Sequence, residues 1–221
     1  MGNPGTGKTT VARLLAKIYR HLGVLSKGHL VEVDRSDMVG GYVGQTAIKV
    51  DEVVQSALGG VLFIDEAYSL TANKNENDYG KEAVTTLLKA MEDYRDDFIV
   101  IVAGYPDLME DFLKVNPGLE SRFNRFIQFE DYDPEELVEI FKGMCKKAGY
   151  IPTDECIYCA NAYFRMRFLS RDKNFANART VRNFFEAALV NQANRLALDN
   201  DITDVELTTL TLDDVKNISI R

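Results

Sequence analysis

The apolar residues in the first 130 positions of the chain follow two alternating patterns. Short apolar runs typical of buried strands occur at residues 30–34, 61–65, 98–103 and 126–129. Between these runs lie stretches in which apolar residues recur every three or four positions. This spacing predicts helices at residues 9–22, 46–58, 79–94 and 106–114. Because strands that alternate with helices form parallel sheets, we expect an α/β domain with a parallel sheet flanked by helices.

The pattern becomes helical throughout after Asp133 and Pro134. Helices are predicted at residues 134–148, 153–168 and 177–198, and Thr211 is a predicted N-cap for a short helix in the polar tail. We therefore expect an α/β domain over residues 1–133 and a small α-helical lid domain over residues 134–221. The length of 221 residues agrees with this division, because it is somewhat long for one average domain and short for two.

A phosphate-binding loop opens the first predicted helix. Residues 2–9 fit the pattern G-x-x-x-x-G-K-[ST], in which glycines let backbone N–H groups surround a polyphosphate. The pattern predicts that Lys8 reaches the β- and γ-phosphates and that the Thr9 hydroxyl ligates Mg²⁺. The alternative is a glycine-rich turn that precedes a helix by chance. Such a turn would not be expected to combine the glycine spacing, the lysine, the threonine and the following helix. The predicted nucleotide-binding residues are Gly2, Asn3, Pro4, Gly5, Thr6, Gly7, Lys8, Thr9 and Thr10.

An acidic pair, Asp65 and Glu66, ends the apolar run at residues 61–65. Taken alone, the pair could simply be two acids that end a strand. Together with the phosphate-binding loop, it predicts that Asp65 holds Mg²⁺ through its water shell and that Glu66 polarises the water that attacks the γ-phosphate. A glutamate directly after the aspartate favours hydrolysis of ATP over transfer of the phosphoryl group to a small acceptor.

Only Met1 precedes the loop, whereas a phosphate-binding loop of this type ordinarily follows a buried strand. We therefore expect the first strand of the sheet to be missing from this chain. The missing strand would leave two unpaired sheet edges, which are an aggregation hazard. An inactive fragment or an interaction module is accordingly an alternative to an active enzyme.

The charge composition of the chain argues against some classes of binding partner. The chain has 26 Lys and Arg against 34 Asp and Glu, and this net charge of −8 argues against a generic binder of nucleic acid or of an anionic membrane. The apolar runs are too short to span a bilayer and no charged leader opens the chain, so a cytoplasmic location is expected. Cys145, Cys156 and Cys159 are expected to be helical thiols without a metal role, because two histidines and one Cys-x-x-Cys pair are few ligands for zinc.

Further motifs in sequential order resemble the AAA+ ATPases of the CbbX and stage V sporulation protein K group. The resemblance rests on residues 65–70 (DEAYSL), 91–92 (ME), 103–105 (AGY), 116–123 (NPGLESRF) and 129–132 (FEDY). It covers nearly the whole chain and implies a P-loop NTPase fold with a lid, and an ATPase that uses ATP and Mg²⁺. The client it implies is a Rubisco subunit, a sporulation factor or a secretion partner, and of these we favour the sporulation type.

The resemblance also implies roles for residues outside the two motifs. Arg122 and, second, Arg125 match the arginine finger that a neighbouring subunit supplies, although a surface arginine is the alternative; a finger in trans implies a ring, and the ring of this family is usually a hexamer. Arg179 resembles the lid arginine called sensor 2, with Arg182 as a competing candidate. Tyr105 stands where many relatives carry a polar sensor 1 residue.

A glycine-flanked loop at residues 40–45 carries an aromatic tip. By resemblance, Tyr42 and Val43 form the pore loop that grips a substrate polypeptide; the alternative is a tyrosine folded back onto the core. The function implied is an ATP-hydrolysing motor that remodels or threads proteins through a ring pore. An ATPase that acts on nucleic acid is possible on the same fold, but no basic cluster accompanies Tyr42.

Overall fold

A computed structural model of the chain describes residues 1–42, 44–72, 78–171, 175–198 and 201–219. Contacts between residues divide it into two units. The α/β unit comprises Met1–Gly2 and Gly7–Phe129, and the helical unit comprises Asn3–Thr6 and Glu130–Arg221. The first four residues of the helical unit thus come from the phosphate-binding loop. The predicted domain boundary after residue 133 stays a prediction.

The sheet of the α/β unit has, among the described residues, three parallel strands in the order β1-β2-β3. They are β1 (Leu30–Val33), β2 (Val61–Ile64) and β3 (Ile99–Val102). Leu30 pairs with Val61, and Val61 pairs in turn with Ile99. The four residues of β2 are at most 1% exposed. This central position explains why the sequence of β2 is continuously apolar, and the three predictions of these strands are confirmed.

Helices cover both faces of this sheet. They are α1 (Lys8–His21), α2 (Arg35–Met38), α3 (Gln45–Ala57), α4 (Gly80–Asp93), α5 (Pro106–Lys114) and α6 (Pro117–Arg122), with a 3₁₀ helix at Ala67–Leu70. Leu62 and Ile64 belong to the core formed with α3, α4 and α5, whereas Val61 and Phe63 pack against α1. This alternation follows from the two-residue repeat of a strand. The four predicted helices are confirmed.

The strand predicted at residues 126–129 is wrong. Phe129 forms an isolated parallel bridge with Gly2, and its N–H donates to the Met1 carbonyl at 2.8 Å. Phe126 and Ile127 are 61% and 52% exposed. An apolar run becomes a strand only where a neighbouring strand supplies a ladder of hydrogen bonds. Here the described contacts are limited to the bridge at Phe129 and a hydrogen bond from the Met1 ammonium group to the Ile127 carbonyl at 2.6 Å.

The helical unit contains α7 (Pro134–Ala148), α8 (Asp154–Leu169), α9 (Ala178–Leu196), α10 (Asp204–Thr208) and α11 (Leu212–Val215), with a short parallel pair β4 (Ile151–Pro152) and β5 (Thr209–Leu210). Local signals set the helix ends. Asp133 and Glu136 form a capping box at the start of α7, and Gly149 ends α7 in the left-handed conformation. The three long helices predicted here are confirmed, and Thr211 does cap α11.

The core of the helical unit is aromatic. The ring of Phe141 meets Phe184 edge-on, with centroids 5.4 Å apart, and also contacts Phe164. Cys145 and Cys156 are fully buried in this core. Across the described ranges, no helix is both long enough and apolar enough to cross a membrane.

Candidate functional site

The phosphate-binding loop enters α1 without a capping side chain. Gly7 is the N-cap residue of α1 and has a left-handed φ of 92°, and Gly5 has a φ of 73°. Only glycine adopts such angles without strain. Gly7 makes no side-chain cap to the first N–H groups of α1. These groups and the helix dipole are therefore suited to an anion.

Lys8, Thr9 and Thr10 form the first turn of α1. The ammonium group of Lys8 donates to the Gly2 carbonyl at 2.8 Å, so this lysine folds back over the loop to which it belongs. Thr9 is half-buried and Thr10 is exposed.

The packing of α1 determines which end of the sheet its first turn approaches. Ala12 packs with Phe63 and Ala103, near the carboxyl ends of β2 and β3, whereas Ala16 packs with Val61 at the start of β2. Helix α1 therefore runs opposite to the strands. Its N-terminus lies at the edge of the sheet where β2 ends.

Asp65 and Glu66 follow β2 at that same edge. The N–H of Asp65 donates to the Val33 carbonyl at 3.0 Å, which extends the ladder by one residue. Glu66 has left-handed backbone angles, with a φ of 49°. This conformation costs a glutamate about 1–3 kcal/mol and is held because the next N–H, that of Ala67, donates to the Ala103 carbonyl at 3.0 Å. Strain of this kind is common at functional sites, and the Glu66 side chain is exposed.

Tyr68 joins the acidic turn to Tyr105. Burial and the negative charge of Glu66 raise the pKa of Tyr68 to about 12, so its hydroxyl group keeps its proton at neutral pH. The rings of Tyr68 and Tyr105 lie 6.2 Å apart, and Tyr105 is the N-cap residue of α5. The structure thus brings the predicted residue Tyr105 close to Glu66 through a tyrosine that sequence reasoning did not single out.

Mg²⁺ fits the oxygen atoms available at this edge. Mg²⁺ is commonly held by one or two protein oxygens together with waters and substrate phosphates. Thr9 and Asp65 supply a hydroxyl and a carboxylate within the α/β unit. The described residues contain no cluster of three His, Cys, Asp or Glu side chains that could hold a metal by themselves.

The predicted arginine fingers lie on the surface of the α/β unit. Arg122, in the last turn of α6, pairs with Glu92 at 3.1 Å and has a side chain 33% exposed. Arg125 follows in the irregular segment after α6 and is exposed. An exposed arginine can reach the nucleotide of a neighbouring subunit. The roles of both arginines stay predictions.

The loop crest Asn3–Thr6 contacts the start of α9 within the helical unit. The N–H of Ala178 donates to the Gly5 carbonyl at 3.2 Å. A methyl group added at Gly5 would overlap the Ala176 carbonyl oxygen and would lie 2.9 Å from the Arg179 backbone nitrogen. The backbone of Arg179 is thus adjacent to the loop, whereas Arg182 lies one turn further along α9. The side chains of both arginines are exposed.

Tyr42 is 74% exposed, so the alternative in which it folds back onto the core is wrong. Its carbonyl accepts from the N–H of Gln45 at 3.2 Å, which forms a turn before α3. Val43, the second predicted pore-loop residue, lies outside the described residues.

Two family models match the chain. The model for the ATPase family associated with various cellular activities (AAA) matches residues 1–131. The model for the AAA lid domain matches residues 133–220.

Individual proteins of known name are also similar to this chain. Protein CbbX of Cereibacter sphaeroides is 48% identical over 217 residues, which are 97% of this chain and 70% of that protein. Stage V sporulation protein K of Bacillus subtilis is 46% identical over 215 residues, which are 97% of this chain and 66% of that protein. The solved FIGL-1 AAA domain in complex with ADP superposes with a TM-score of 0.64 at 18% identity, over 97% of this chain and 68% of that one. At this low sequence identity, the structural match supports the fold alone.

Proposed function

Because the chain belongs to the ATPase family associated with various cellular activities (AAA), we propose that it binds ATP at residues 2–10 and hydrolyses it with Glu66. The observation that carries the proposal is the common edge at which α1 begins and β2 ends. This arrangement allows Lys8 and Thr9 to hold the phosphates while Glu66 faces the same ligand. We propose Arg179, whose backbone is adjacent to the loop crest Asn3–Thr6, as a further residue that contacts the nucleotide.

Each side chain has a separate task in the proposed reaction. Lys8 leaves the Gly2 carbonyl and binds the β- and γ-phosphates. Glu66 accepts a proton from the attacking water, while Tyr68 and Tyr105 line the approach to its carboxylate. Thr9 and Asp65 hold Mg²⁺, which neutralises charge on the phosphates when it is bound. A trans arginine, Arg122, stabilises the charge of the transition state.

The hydrolysis step is tested by phosphate release from Mg-ATP. Glu66→Gln removes the base without changing its size, and we expect turnover to fall about 10²- to 10⁴-fold while ATP still binds. Glu130→Gln, an exposed acid at the end of the irregular segment, is the matched control. Equal turnover of Glu66→Gln and the unmodified protein would contradict the assignment.

The proposed ring is tested by mixing two inactive variants. Glu66→Gln subunits retain Arg122, and Arg122→Ala subunits retain Glu66, so a mixed ring contains interfaces in which both residues are intact. We expect the mixture to recover part of the turnover that each variant lacks. Two inactive variants that stay inactive when mixed would argue against a finger in trans.

We further propose that hydrolysis moves Tyr42 along a substrate polypeptide in the pore of the ring. The support is the 74% exposure of this aromatic side chain in a glycine-rich loop, which a monomer has no reason to present to water. Tyr42→Ala should leave ATP turnover unchanged and abolish remodelling of a protein client. Loss of both activities together would refute the role of the loop.

A further inference from the structure

The carbonyl groups of the loop crest Asn3–Thr6 all accept hydrogen bonds inside the helical unit. The Asn3 carbonyl accepts from the Thr6 hydroxyl at 2.8 Å, and the Thr6 carbonyl accepts from the Tyr132 hydroxyl at 3.1 Å. The Pro4 carbonyl accepts from the Asn177 amide at 3.3 Å, and the Gly5 carbonyl from the Ala178 N–H at 3.2 Å. Four consecutive acceptors are therefore bound by protein donors.

The N–H groups of Gly5 and Thr6, in the same crest, differ from the carbonyl groups in their hydrogen bonding. Within the described residues, the N–H groups of Gly5 and Thr6 donate to no protein acceptor. A loop that binds an anion needs its N–H groups directed to the ligand and its carbonyl oxygens kept away from the phosphate oxygens, which they would repel. The donors that hold the carbonyl groups therefore determine how ready the loop is for a phosphate.

Asn177 contributes most to this arrangement. It is fully buried, and its amide nitrogen lies within hydrogen-bond distance of three acceptors, the Asp131 carboxylate at 2.7 Å, the Phe175 carbonyl at 2.9 Å and the Pro4 carbonyl at 3.3 Å. Because an amide nitrogen carries two hydrogens, two of these acceptors share one N–H group. Its amide oxygen accepts from the N–H of Tyr132 at 2.8 Å. The side chain thereby holds Pro4 directly and fixes the backbone of Tyr132, whose hydroxyl group holds Thr6.

The backbone angles of Asn177 would suit a glycine better than an asparagine. An asparagine at this position is therefore explained by the contacts of its side-chain amide. Its φ of 48° and ψ of −124° lie in a region that glycine occupies at much lower cost. A glycine would relieve the strain but would leave the N–H of Tyr132 and the carbonyl of Pro4 without their partner. The strain is retained together with the contacts of the side-chain amide, whose oxygen accepts from Tyr132 and whose two N–H groups are shared among three acceptors.

We infer that Asn177 is a positioning residue for the phosphate-binding loop, which acts by holding the crest carbonyls so that the N–H groups are set for a triphosphate before it arrives. The inference rests on the proposed binding of ATP. Preorganised donors bind an anion more tightly because no ordering of the loop remains to be done. Loss of Asn177 should therefore weaken nucleotide binding and raise KM, while the chemical step at Glu66 keeps its rate.

The test compares three variants with the unmodified protein. Asn177→Gly accommodates the backbone angles and removes the amide. Tyr132→Phe removes one hydroxyl group and leaves Asn177 in place. Asn191→Gly is the control, because Asn191 is a half-buried asparagine of the same helix whose amide donates to the Asp214 carbonyl at 2.8 Å, inside the helical unit and away from the loop.

The dissociation constant of a fluorescent ATP analogue, KM and kcat are measured for each variant, and circular dichroism records the folded fraction. We expect Asn177→Gly and Tyr132→Phe to raise the dissociation constant and KM about 5- to 30-fold with kcat within about twofold, and Asn191→Gly to change neither. Unchanged nucleotide binding in folded Tyr132→Phe and Asn177→Gly would overturn the inference alone. An unmodified protein that binds no ATP would overturn the proposed function as well.

A double variant separates positioning from mere stability. Asn177→Asp places a second carboxylate against Asp131, and Asp131→Asn in the same chain restores a donor between the two side chains. The contact between the two side chains is then restored, and the oxygen of the new amide can still accept from the Asn3 amide, which donates to Asp131 at 2.9 Å in the unmodified protein. The Pro4 and Phe175 carbonyls still lack their donor. We expect the double variant to recover the thermal stability lost in Asn177→Asp and to keep the raised KM. Recovery of both properties together would show that Asn177 serves stability only.

Discussion

Arg195 and Asp214 form an ion pair in the helical unit in which the carboxylate is buried. Asp214 is fully buried, and its two carboxylate oxygens accept from Arg195 at 2.8 and 3.1 Å. One of these oxygens also accepts from the N–H and the hydroxyl of Thr211, at 2.7 and 3.0 Å. The substitution Arg195→Met preserves most of the apolar stem and removes the charge, which leaves a buried carboxylate with Thr211 as its donor.

The structure sets the expected size of the effect. Removal of one partner of a buried ion pair costs about 3–5 kcal/mol, because the remaining charge stays buried without its counterion. The side chain of Arg195 is 30% exposed and Thr211 keeps its bonds, so we expect the lower end, about 3 kcal/mol. With a urea dependence of about 2 kcal/mol per molar, the midpoint of unfolding should fall by about 1.5 M.

Urea unfolding followed by circular dichroism measures this change. The matched control is Lys216→Met, which removes a lysine that pairs with Asp213 at 2.7 Å on the surface, with side chains 50% and 62% exposed. An exposed pair contributes about 0–1 kcal/mol, so the control should unfold almost as the unmodified protein does. If Arg195→Met lost less than about 1 kcal/mol, or no more than the control, the reasoning from burial would be refuted.

Three further predictions follow from the same kinds of contact. Burial opposes the charge of Asp214, but the hydrogen bonds from Arg195 and Thr211 outweigh it and lower the pKa of Asp214, so its stabilising effect is present above about pH 4 and is lost as the pH falls through the lowered pKa. The urea midpoint should therefore drop more steeply on acidification in the unmodified protein than in Asp214→Asn, and parallel curves would contradict this. Gly80→Ala would place a methyl group against the Leu70 carbonyl oxygen and should cost about 3 kcal/mol, whereas Gly143→Ala, which meets nothing within 4 Å, should stabilise α7 by up to about 1 kcal/mol in the same unfolding assay. Burial raises the pKa of Cys156 to about 12, so iodoacetamide at pH 7 should modify this thiol far more slowly than a free cysteine, as read by mass spectrometry; equal rates would contradict its burial.

Local patterns in the sequence were sufficient for most of the fold. The strand β2 is a continuous apolar run between a glycine pair and an acidic pair, so both its ends are marked. Helix α7 carries its own start and stop signals in Asp133, Pro134 and Gly149. Such elements are predictable because the residues that determine them are neighbours in the chain. The run at residues 126–129 has the same local pattern, yet its described pairing is limited to the bridge at Phe129 and one hydrogen bond at Ile127, because pairing depends on a distant neighbour.

The candidate site likewise has parts that the sequence predicts and parts that it does not. The phosphate-binding loop and the acidic pair are contiguous motifs, and sequence alone identified them. Asp131 and Tyr132 belong to a motif that the sequence analysis quotes, but no role was predicted for them or for Asn177, because the three residues come together with the loop only in the folded helical unit. A single asparagine before a helix looks like an ordinary N-cap, and its positive φ is visible only in the structure. The tyrosine at position 68 likewise acquires its raised pKa from burial, which no local pattern reveals.

The nucleotide that remains bound after a single turnover tests the central claim most directly. The protein is loaded with a small amount of radiolabelled ATP and Mg²⁺, and the bound nucleotide is identified after rapid separation. We expect the unmodified protein to carry ADP and Glu66→Gln to carry intact ATP, while Lys8→Ala retains neither. ATP that remains uncleaved on the unmodified protein, or ADP formed at the same rate on Glu66→Gln, would contradict the account.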